Sequence, residues 1–224
     1  MKIKAVLWDI DGTLLNFKKA QYVALYKCFE YFNEYLDDDM VDKYDHINHG
    51  YWLMLEENKI SKNELLVKRF VDFFNIYNIK INPNEFNEIY QSELGKTYVF
   101  NDNGKEVVLK LKEMGIKQFA ITNGTKVAQL GKLSGSGLMD ILDEIFISED
   151  IGYEKPSVSF FIPVEKKLNE YGIKKDECLI VGDSESSDLA LARNVGIKGA
   201  HYTNGLSNSD CVISDLSTVL TMLQ

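Results

Sequence analysis

The sequence predicts an α/β fold: a parallel sheet covered by helices on both faces, with an all-helical insertion after its first strand. One short apolar run comes first, a long helix-patterned stretch follows, and short apolar runs then alternate with helical segments. Strands that alternate with helices are typical of covered parallel sheets. A βαβ crossover needs only about 30 residues, whereas more than 100 separate Asp9 from Thr122. The helical stretch is therefore best interpreted as an insertion.

The first predicted strand is the apolar run 3–8, which ends on Asp9 and Asp11. Residues i and i+2 of a strand point to the same side, so these two carboxylates form a close pair of like charges. Such a pair raises the pKa of one carboxyl group and favours a divalent cation. Gly12 permits a sharp turn directly afterwards. An ordinary Asp-Gly turn is the competing interpretation.

The segment from about residue 16 to residue 96 is helix-patterned and rich in Tyr and Phe. Ser61 followed by Glu64 is a capping-box signature, and Pro83 suits the first turn of a helix. The predicted helices are 20–35, 42–58, 61–75 and one that opens at residue 83. Open α/β sheets bind ligands beyond the carboxyl ends of their strands. An insertion at the end of the first strand would cover that place as a lid.

After about residue 99 the two patterns alternate. The predicted helices are 104–114, 126–133, 158–171, 187–194 and 216–223. The predicted strands are 117–121, 144–147, 178–181, 197–200 and 211–213. We therefore expect a sheet domain formed by residues 1–15 and 97–224, with residues 16–96 as a separate helical domain.

The composition limits the partners that we expect. The chain has 224 residues and a net charge of −9, with a sequence pI of about 4.9. An acidic surface repels nucleic acid and anionic membranes, and the sequence contains neither an export signal nor a membrane span. The cysteines Cys28, Cys178 and Cys211 are far apart, which is typical of reduced thiols in a cytoplasmic protein. The sequence predicts no particular oligomeric state.

Polar residues recur where the predicted strands end or the following helices begin. Besides Asp9 and Asp11, they are Thr122, Asn123, Lys155, Asp183 and Asp188. The carboxyl ends of parallel strands meet at one edge of a sheet, so we expect these side chains to lie together. Carboxylates alone would indicate a cation site, but carboxylates with a lysine and a threonine indicate a phosphate bridged by a metal ion.

In this order and spacing, these residues resemble the four motifs of the haloacid dehalogenase superfamily of phosphohydrolases. Asp9-Ile10-Asp11-Gly12-Thr13 is similar to the first motif, Thr122 to the second and Lys155 to the third. Asp183 with Asp188 is similar to the fourth. The helical insertion resembles the C1-type cap of the superfamily, and the sheet resembles its Rossmann-like core.

The resemblance implies a Mg²⁺-dependent phosphomonoester hydrolase that acts through an aspartyl-phosphate. Asp9 would be the nucleophile, and Asp11 would protonate the leaving oxygen and then activate water. A halide leaving group needs no proton, so Asp11 favours phosphoryl chemistry over dehalogenation. The implied metal ligands are Asp9, the backbone carbonyl of Asp11, and Asp183, supported by Asp188. The implied phosphate-binding groups are Thr122, the amide of Asn123, and Lys155.

The helical insertion adds a resemblance to the non-canonical pyrimidine 5′-nucleotidases. It rests on Leu15-Asn16-Phe17, Arg69-Phe70 and the segments 47–52 and 146–152. A nucleoside monophosphate is the implied substrate. The candidate substrate-binding residues are Asn16, Phe17, Lys18, Asn48, His49, Tyr51 and Trp52. Aromatic side chains could stack on a base, although most of the phenylalanines and tyrosines here, including Phe70, Phe73 and Phe74, are expected to form the core of the insertion.

Three other functions remain compatible with the sequence. The first is a phosphatase for another small metabolite, such as phosphoglycolate or a sugar phosphate. The second is a phosphomutase of the same fold, and the third is a non-enzymatic module that binds metal or phosphate. Structural roles also remain open for single residues: Thr122 could bond its local backbone, Lys155 could be a solvated loop lysine, and Asp183 or Asp188 could cap a helix.

Overall fold

The computed structural model describes residues 2–223 and contains a six-stranded sheet. The strands are β1 (Ala5–Trp8), β2 (Lys117–Thr122), β3 (Glu144–Ile147), β4 (Cys178–Gly182), β5 (Lys198–Tyr202) and β6 (Val212–Ile213). Their order across the sheet is β3-β2-β1-β4-β5-β6, and every neighbouring pair is parallel. The predicted α/β class is confirmed.

Nine α-helices lie within the described residues. They are α1 (Phe17–Tyr31), α2 (Asp38–Glu56), α3 (Lys62–Tyr77), α4 (Pro83–Lys96), α5 (Gly104–Glu113), α6 (Lys126–Ser136), α7 (Ser148–Ile151), α8 (Val158–Glu170) and α9 (Ala190–Val195). None of the helices between residues 2 and 223 combines the length and apolarity that a membrane crossing needs.

Side chains of β1 alternate between the two faces of the sheet, and both faces are covered. Val6 and Trp8 belong to a core that contains Val107 of α5 and the C-terminal Leu216. Leu7 belongs to the opposite core, with residues of α8 and α9. Every residue of β1 is fully buried, which explains why its sequence is continuously apolar.

Helices α1–α4, which we call the helical insertion, pack around an aromatic core. Phe70 and Phe73 are completely buried, and Phe74 is nearly so, as predicted. The ring of Tyr44 stacks on that of Phe70 with centroids 5.2 Å apart. The rings of Phe29 and Phe86 meet edge to face at 5.5 Å. Such offset and edge-to-face pairs add to the stabilisation that burial supplies.

The starts of the first two helices differ from the prediction, while those of the next two agree with it. α1 and α2 begin three and four residues earlier than predicted, because Asn16 and Asp37 cap them by accepting bonds from backbone amides. The predicted capping box of Ser61 and Glu64 is present at the start of α3. Pro83 occupies the first turn of α4.

Two later predictions need correction. The predicted helix 187–194 is a π-helical turn over Glu185–Leu189 followed by α9. This wide turn returns the Asp188 carboxylate toward the backbone amide of Ser184, at 3.1 Å, and π-turns of this kind often mark functional sites. The predicted helix 216–223 is a 3₁₀ helix. Helix α7 was not predicted, because four residues are too few to show a periodic pattern.

Helix α4 joins the insertion to the sheet domain by crossing α6 at two glycines. A Cβ atom added to Gly131 would lie 2.6 Å from the carbonyl oxygen of Gly95. The backbones of the two helices therefore approach more closely than any residue with a side chain would allow. This contact fixes one side of the insertion against the helix that follows Thr122.

Candidate active site

The predicted site residues surround the carboxyl ends of the three central strands. Asp9 follows β1, Thr122 ends β2 and Asp183 follows β4. Strands β2 and β3 lie on one side of β1 and strands β4, β5 and β6 lie on the other, so the direction in which strands are added reverses at β1. Such a switch point is the usual ligand site of an open α/β sheet.

Lys155 lies at the centre of the site and is 1% exposed. Its Nζ donates to Asp9 Oδ1 at 2.8 Å, to Asp188 Oδ1 at 2.6 Å and to the carbonyl oxygen of Ile121 at 2.8 Å. Burial alone would lower the pKa of this lysine, but the two adjacent carboxylates raise it above its ordinary value. Lys155 therefore remains protonated, and the alternative of a solvated loop lysine is wrong.

Asn123 holds the loop that carries Lys155. Its side-chain amide donates to the carbonyl oxygen of Lys155 at 2.9 Å and accepts from the backbone amide of Lys155 at 2.8 Å. The Asn123 side chain is thus engaged in positioning, which leaves its backbone amide as the group for the predicted phosphate contact.

Asp9, Asp183 and Asp188 form what we call the carboxylate cluster. One oxygen atom from each lies within 4.8 Å of the other two. Burial raises the pKa of Asp9 to about 7, although the Lys155 charge opposes the shift and the Asp188 charge adds to it. Asp188 is also buried, while Asp183 is exposed. The cluster therefore has one open edge toward a ligand.

The composition of the cluster fits a divalent cation. Three carboxylates face only one ammonium group, so the cluster has excess negative charge that a cation would compensate. Oxygen ligands of this type suit Mg²⁺, which typically takes one or two carboxylates and completes its shell with water and phosphate. These three carboxylates are the ones that the sequence motifs predicted: Asp9 from the first motif, and Asp183 with Asp188 from the fourth.

Gly12 lets Asp183 approach the turn that follows β1. Its φ of 95° lies in the left-handed region, which L-residues with side chains avoid. A Cβ atom at this position would lie 2.1 Å from Asp183 Oδ2. Both the backbone conformation and the packing therefore require glycine here.

Two threonine hydroxyls lie at the same rim. Thr13 Oγ1 donates to Asp9 Oδ2 at 3.0 Å. Thr122 Oγ1 accepts from the backbone amide of Gly124 at 3.0 Å, so the local backbone bond considered for Thr122 exists. That bond leaves the hydroxyl proton of Thr122 free to donate to a ligand. Thr13 was not predicted as a site residue, although it belongs to the first motif.

Asp11 points toward helix α6 rather than into the carboxylate cluster. Its carboxylate accepts from Gln129 Nε2 at 2.6 Å and from Lys132 Nζ at 2.5 Å. Lys132 is almost fully buried, with the ring of Phe17 centred 5.4 Å from its Nζ. The sequence did not predict Gln129 or Lys132, whose spacing of three residues on a helix was the available signal.

The candidate substrate-binding residues separate into two groups. Asn48 is buried and accepts from Trp52 Nε1 at 3.1 Å, while Phe17 lies beside Lys132. The remaining candidates lie elsewhere: Asn16 caps α1, Lys18 and His49 are exposed, and Tyr51 donates to Asp72 of α3. The structure therefore buries Asn48, leaves Phe17 and Trp52 half-buried, and places Lys18 and His49 at the surface.

The insertion contacts the rim of the site through polar groups. Ser186 Oγ donates to Glu56 Oε2 at 2.5 Å, and Thr125 Oγ1 donates to Gln91 Oε1 at 2.6 Å. Lys62 donates to Ser148 and forms an ion pair with Glu154 at 3.3 Å. Helices α2, α3 and α4 each touch a different part of the rim, so three separate polar contacts hold the insertion against the sheet.

Comparisons with known sequences agree with this geometry. The sequence profile of the haloacid dehalogenase-like hydrolases matches residues 6–201. Pyrimidine 5′-nucleotidase PynA of Streptococcus pneumoniae is 31% identical over 204 residues, which cover 90% of this chain and 84% of that protein. Glyceraldehyde 3-phosphate phosphatase of Pyrococcus furiosus is 26% identical over 245 residues, covering 100% of this chain and 94% of that protein.

Solved structures show the same architecture. The crystal structure of the HAD-hydrolase YfnB from Bacillus subtilis, bound to magnesium, has a TM-score of 0.92 at 26% identity and covers 100% of both chains. That structure reveals interdomain movement in YfnB. The L-2-haloacid dehalogenase from Xanthobacter autotrophicus has a TM-score of 0.76 at 17% identity, covering 98% of each chain, which shows a shared fold alone.

Proposed function

Because this chain belongs to the haloacid dehalogenase-like hydrolase family and is a phosphatase, we propose that it is a Mg²⁺-dependent 5′-nucleotidase acting on pyrimidine nucleoside monophosphates. The observation that carries the chemistry is Lys155, buried between Asp9 and Asp188 at a strand-end site. The likeness to PynA over 90% of the chain supports the substrate. The proposal places residues 16–96 as a cap domain over a catalytic core of residues 1–15 and 97–224.

The first step is the attack of an Asp9 carboxylate oxygen on the phosphorus atom. The bond from phosphorus to the ester oxygen breaks, and that oxygen takes a proton from Asp11 as the nucleoside leaves. In the second step Asp11 removes a proton from water, which attacks the aspartyl-phosphate and releases inorganic phosphate. Asp9 is thereby regenerated as a carboxylate and Asp11 as an acid.

The surrounding groups stabilise the charge of the transferring phosphoryl group. Lys155 neutralises Asp9 and the phosphoryl oxygens, and the Thr122 hydroxyl and Asn123 amide donate to those oxygens. Asp9, the Asp11 carbonyl and Asp183 would hold Mg²⁺, with Asp188 in support. The bound cation would supply further positive charge opposite the phosphoryl oxygens. Thr13 keeps one carboxylate oxygen of Asp9 oriented.

Substrate entry is proposed to involve movement of the insertion, because Asp9 is buried and three helices of the insertion contact the rim of the site. The interdomain movement of YfnB supports such an opening here. The rim contacts of Glu56, Lys62 and Gln91 are hydrogen bonds and an ion pair that water can replace, whereas the close crossing of α4 and α6 would stay packed as the fixed side of the movement. The free cysteines and acidic composition support a cytoplasmic protein with a small phosphorylated metabolite as its substrate.

Phosphate release from a substrate panel with Mg²⁺ tests this function. Uridine, cytidine and thymidine 5′-monophosphates should be hydrolysed with a higher kcat/KM than phosphoglycolate, glyceraldehyde 3-phosphate or glucose phosphates. A clear preference for one of the latter substrates would replace the nucleotidase with another phosphatase. Transfer of phosphate back to a substrate, without release, would indicate a phosphomutase.

The Asp9→Asn variant tests the nucleophile. The neutral amide cannot form the aspartyl-phosphate, so hydrolysis of every substrate should fall to background. The Asp72→Asn variant, which changes a carboxylate on the outer side of the insertion, is the matched control and should retain activity. Full activity of Asp9→Asn would overturn the nucleophile assignment, and inactivity of the wild-type enzyme on all esters would favour a binding module.

A further inference from the structure

The helical insertion contains a buried guanidinium that no carboxylate neutralises. Arg69 of α3 is 1% exposed, and no Asp or Glu among residues 2–223 forms an ion pair with it at 4.0 Å or less. Its partners are neutral oxygens: the Asn48 side chain at 2.7 Å, the Asn87 side chain at 3.2 Å and the carbonyl of Leu66 at 3.3 Å. A buried charge of this kind costs stability, which calls for an explanation.

Arg69 is part of a polar cluster contributed by all four helices of the insertion. Asn48 of α2 donates to Gln21 of α1 at 3.1 Å, and Asn87 of α4 accepts from Arg69. We call Gln21, Asn48, Arg69 and Asn87 the Arg69 cluster. The rings of Phe70 and Tyr90 lie 4.9 Å and 5.2 Å from the guanidinium carbon. These rings stabilise the charge but cannot pair its N–H groups.

The cluster lies one to two helical turns from the residues through which the insertion contacts the rim of the active site. On α1, Phe17 contacts Lys132 at the rim, and Gln21 follows one turn later; on α4, Gln91 contacts Thr125 at the rim, and Asn87 precedes it by one turn. Asn48 and Arg69 lie two turns from Glu56 and Lys62, the rim residues of α2 and α3. The separations along the helix axes are therefore about 6 Å for the first pair of helices and about 10–12 Å for the second.

The unused hydrogen-bonding capacity of the cluster consists mainly of donors. Each terminal nitrogen of Arg69 uses one of its two N–H groups within residues 2–223. The Asn48 amide nitrogen uses one N–H group, toward Gln21, and the Asn87 amide nitrogen uses none in that range. Nearby, the buried hydroxyls of Tyr44 and Tyr90 have no hydrogen-bond partner in the described part of the chain. Buried groups left in this state usually have a ligand or water as a partner.

We propose that the Arg69 cluster recognises the carbonyl oxygens of the pyrimidine base while Asp9 attacks the 5′-phosphate. This proposal rests on the proposed nucleotidase function and assigns its base specificity to Arg69, Asn48 and Asn87. Trp52 donates to Asn48 at 3.1 Å and so helps to orient the amide of that residue. Arg69 thus becomes a specificity-determining residue, and Phe17 would lie along the sugar.

The chemistry of the cluster selects among phosphate esters. Uracil, thymine and cytosine all present the O2 carbonyl, whereas adenine has no carbonyl oxygen to accept from Arg69. Phosphoglycolate carries an acceptor, but its carboxylate is joined to the phosphate by a single carbon and cannot span the one to two helical turns that separate the cluster from the rim. A sugar hydroxyl can accept from the cluster, but it is a donor as well, whereas the O2 carbonyl of a pyrimidine only accepts.

The Arg69→Met variant tests the proposal, because methionine keeps an unbranched apolar stem while removing the guanidinium. The measurement is kcat/KM for uridine 5′-monophosphate, adenosine 5′-monophosphate and p-nitrophenyl phosphate with Mg²⁺. We expect a loss of about 10- to 100-fold for the uridine nucleotide, as for a hydrogen bond to a charged group. The rates for the other two substrates should change by less than about 3-fold.

Two further variants complete the experiment. Lys68→Met removes an exposed positive charge from the adjacent position of α3 and should leave all three values unchanged. Asn87→Ala, at a half-buried position, should lower the uridine value selectively without removing the buried charge, and it decides the question if Arg69→Met does not fold.

The outcomes separate the two proposals. A wild-type enzyme that prefers non-nucleotide esters would overturn the nucleotidase function itself. A wild-type enzyme that prefers uridine over adenosine nucleotides, with that preference unchanged in folded Arg69→Met and in Asn87→Ala, would overturn only the role of the cluster. An equal loss on all three substrates would indicate a structural Arg69 and would also overturn it.

Discussion

The charge balance around Asp9 shows how single residues determine this site. Burial raises the pKa of the Asp9 carboxyl group, and the adjacent ammonium of Lys155 limits that shift. The same ammonium pairs with Asp188, so one buried lysine serves two carboxylates of the cluster. Removal of this lysine would leave two buried carboxylates without compensation, a change that typically destabilises a protein by about 3–5 kcal/mol.

Lys132→Met tests whether α6 positions Asp11, the proposed proton-transfer group. We expect kcat for a nucleoside monophosphate to fall about 10-fold, a part of the roughly 10²–10⁴ that general acid–base catalysis contributes. Hydrolysis of p-nitrophenyl phosphate should fall less, because p-nitrophenolate leaves without a proton. The measurement is kcat for both esters, with Lys110→Met on the exposed face of α5 as control. Equal losses on both esters would contradict the positioning role.

Gly12→Ala tests the close approach of the first turn to Asp183. The added methyl group would overlap Asp183 Oδ2, so the carboxylate must move away from Asp9. We expect the affinity for Mg²⁺ to be at least 10-fold weaker, as when groups that orient metal ligands are lost. Titration of activity with Mg²⁺ measures this. Gly115→Ala, also at positive φ but with open space around it, controls for backbone strain; equal effects of both changes would contradict the explanation.

Among the elements, α6 has the most connections to the site. Thr125 caps it, Gln129 and Lys132 hold Asp11, and Gly131 lets α4 cross it closely. A displacement of α6 would therefore change both the orientation of Asp11 and the position of the insertion against the sheet. The helix therefore links the orientation of Asp11 to the position of the insertion.

Gly131→Ala tests this crossing by a change that normally stabilises a helix. The new Cβ atom would meet the Gly95 carbonyl, so we expect a loss of about 1–3 kcal/mol in the free energy of unfolding. The control is Gly50→Ala in α2, where the added Cβ has open space and should stabilise by about 0.5–1 kcal/mol. Denaturant unfolding measures both. Stabilisation by both substitutions would show that the crossing tolerates a side chain.

At the scale of the whole molecule, the stability that Mg²⁺ adds to the folded protein should depend on pH. The pKa of the Asp9 carboxyl group is 3.8 in the unfolded chain and is raised by burial to about 7 in the folded protein. Between these values the folded, metal-free protein holds the extra proton, so the contribution of Asp9 to stability falls as pH rises through about 4 to 7. We expect Mg²⁺ to bind the ionised cluster and to reverse that loss.

The expected result is a Tm increase on Mg²⁺ addition that is larger at about pH 8 than at about pH 5.5. Saturation at about 100 times Kd corresponds to about 2.7 kcal/mol. Differential scanning fluorimetry with Mg²⁺ or EDTA measures the shift, and Asp183→Asn should reduce it. A shift that is equal at both pH values would contradict the linkage to Asp9.

The fold was predictable because its signals are local and repeated. Each strand is a short apolar run, and Asp9, Thr122 and Asp183 directly follow or end such runs, so the topology of a parallel sheet brings them together. Gln129, Lys132 and Arg69 were not predictable in the same way. A polar residue on an amphipathic helix usually faces solvent, and the partner of Lys132, Asp11, lies 121 positions away in the sequence.

The central position of β1 in the sheet has a consequence for how the protein folds during its synthesis. β1 is the first strand to be synthesised, yet its neighbours β2 and β4 begin only at Lys117 and Cys178. Its apolar segment must therefore emerge from the ribosome long before either partner strand exists. Pairing across such separations folds slowly and leaves apolar segments exposed to aggregation. The central strand that ends on Asp9 is thus a segment of the nascent chain that must be kept from aggregating until its partner strands are synthesised.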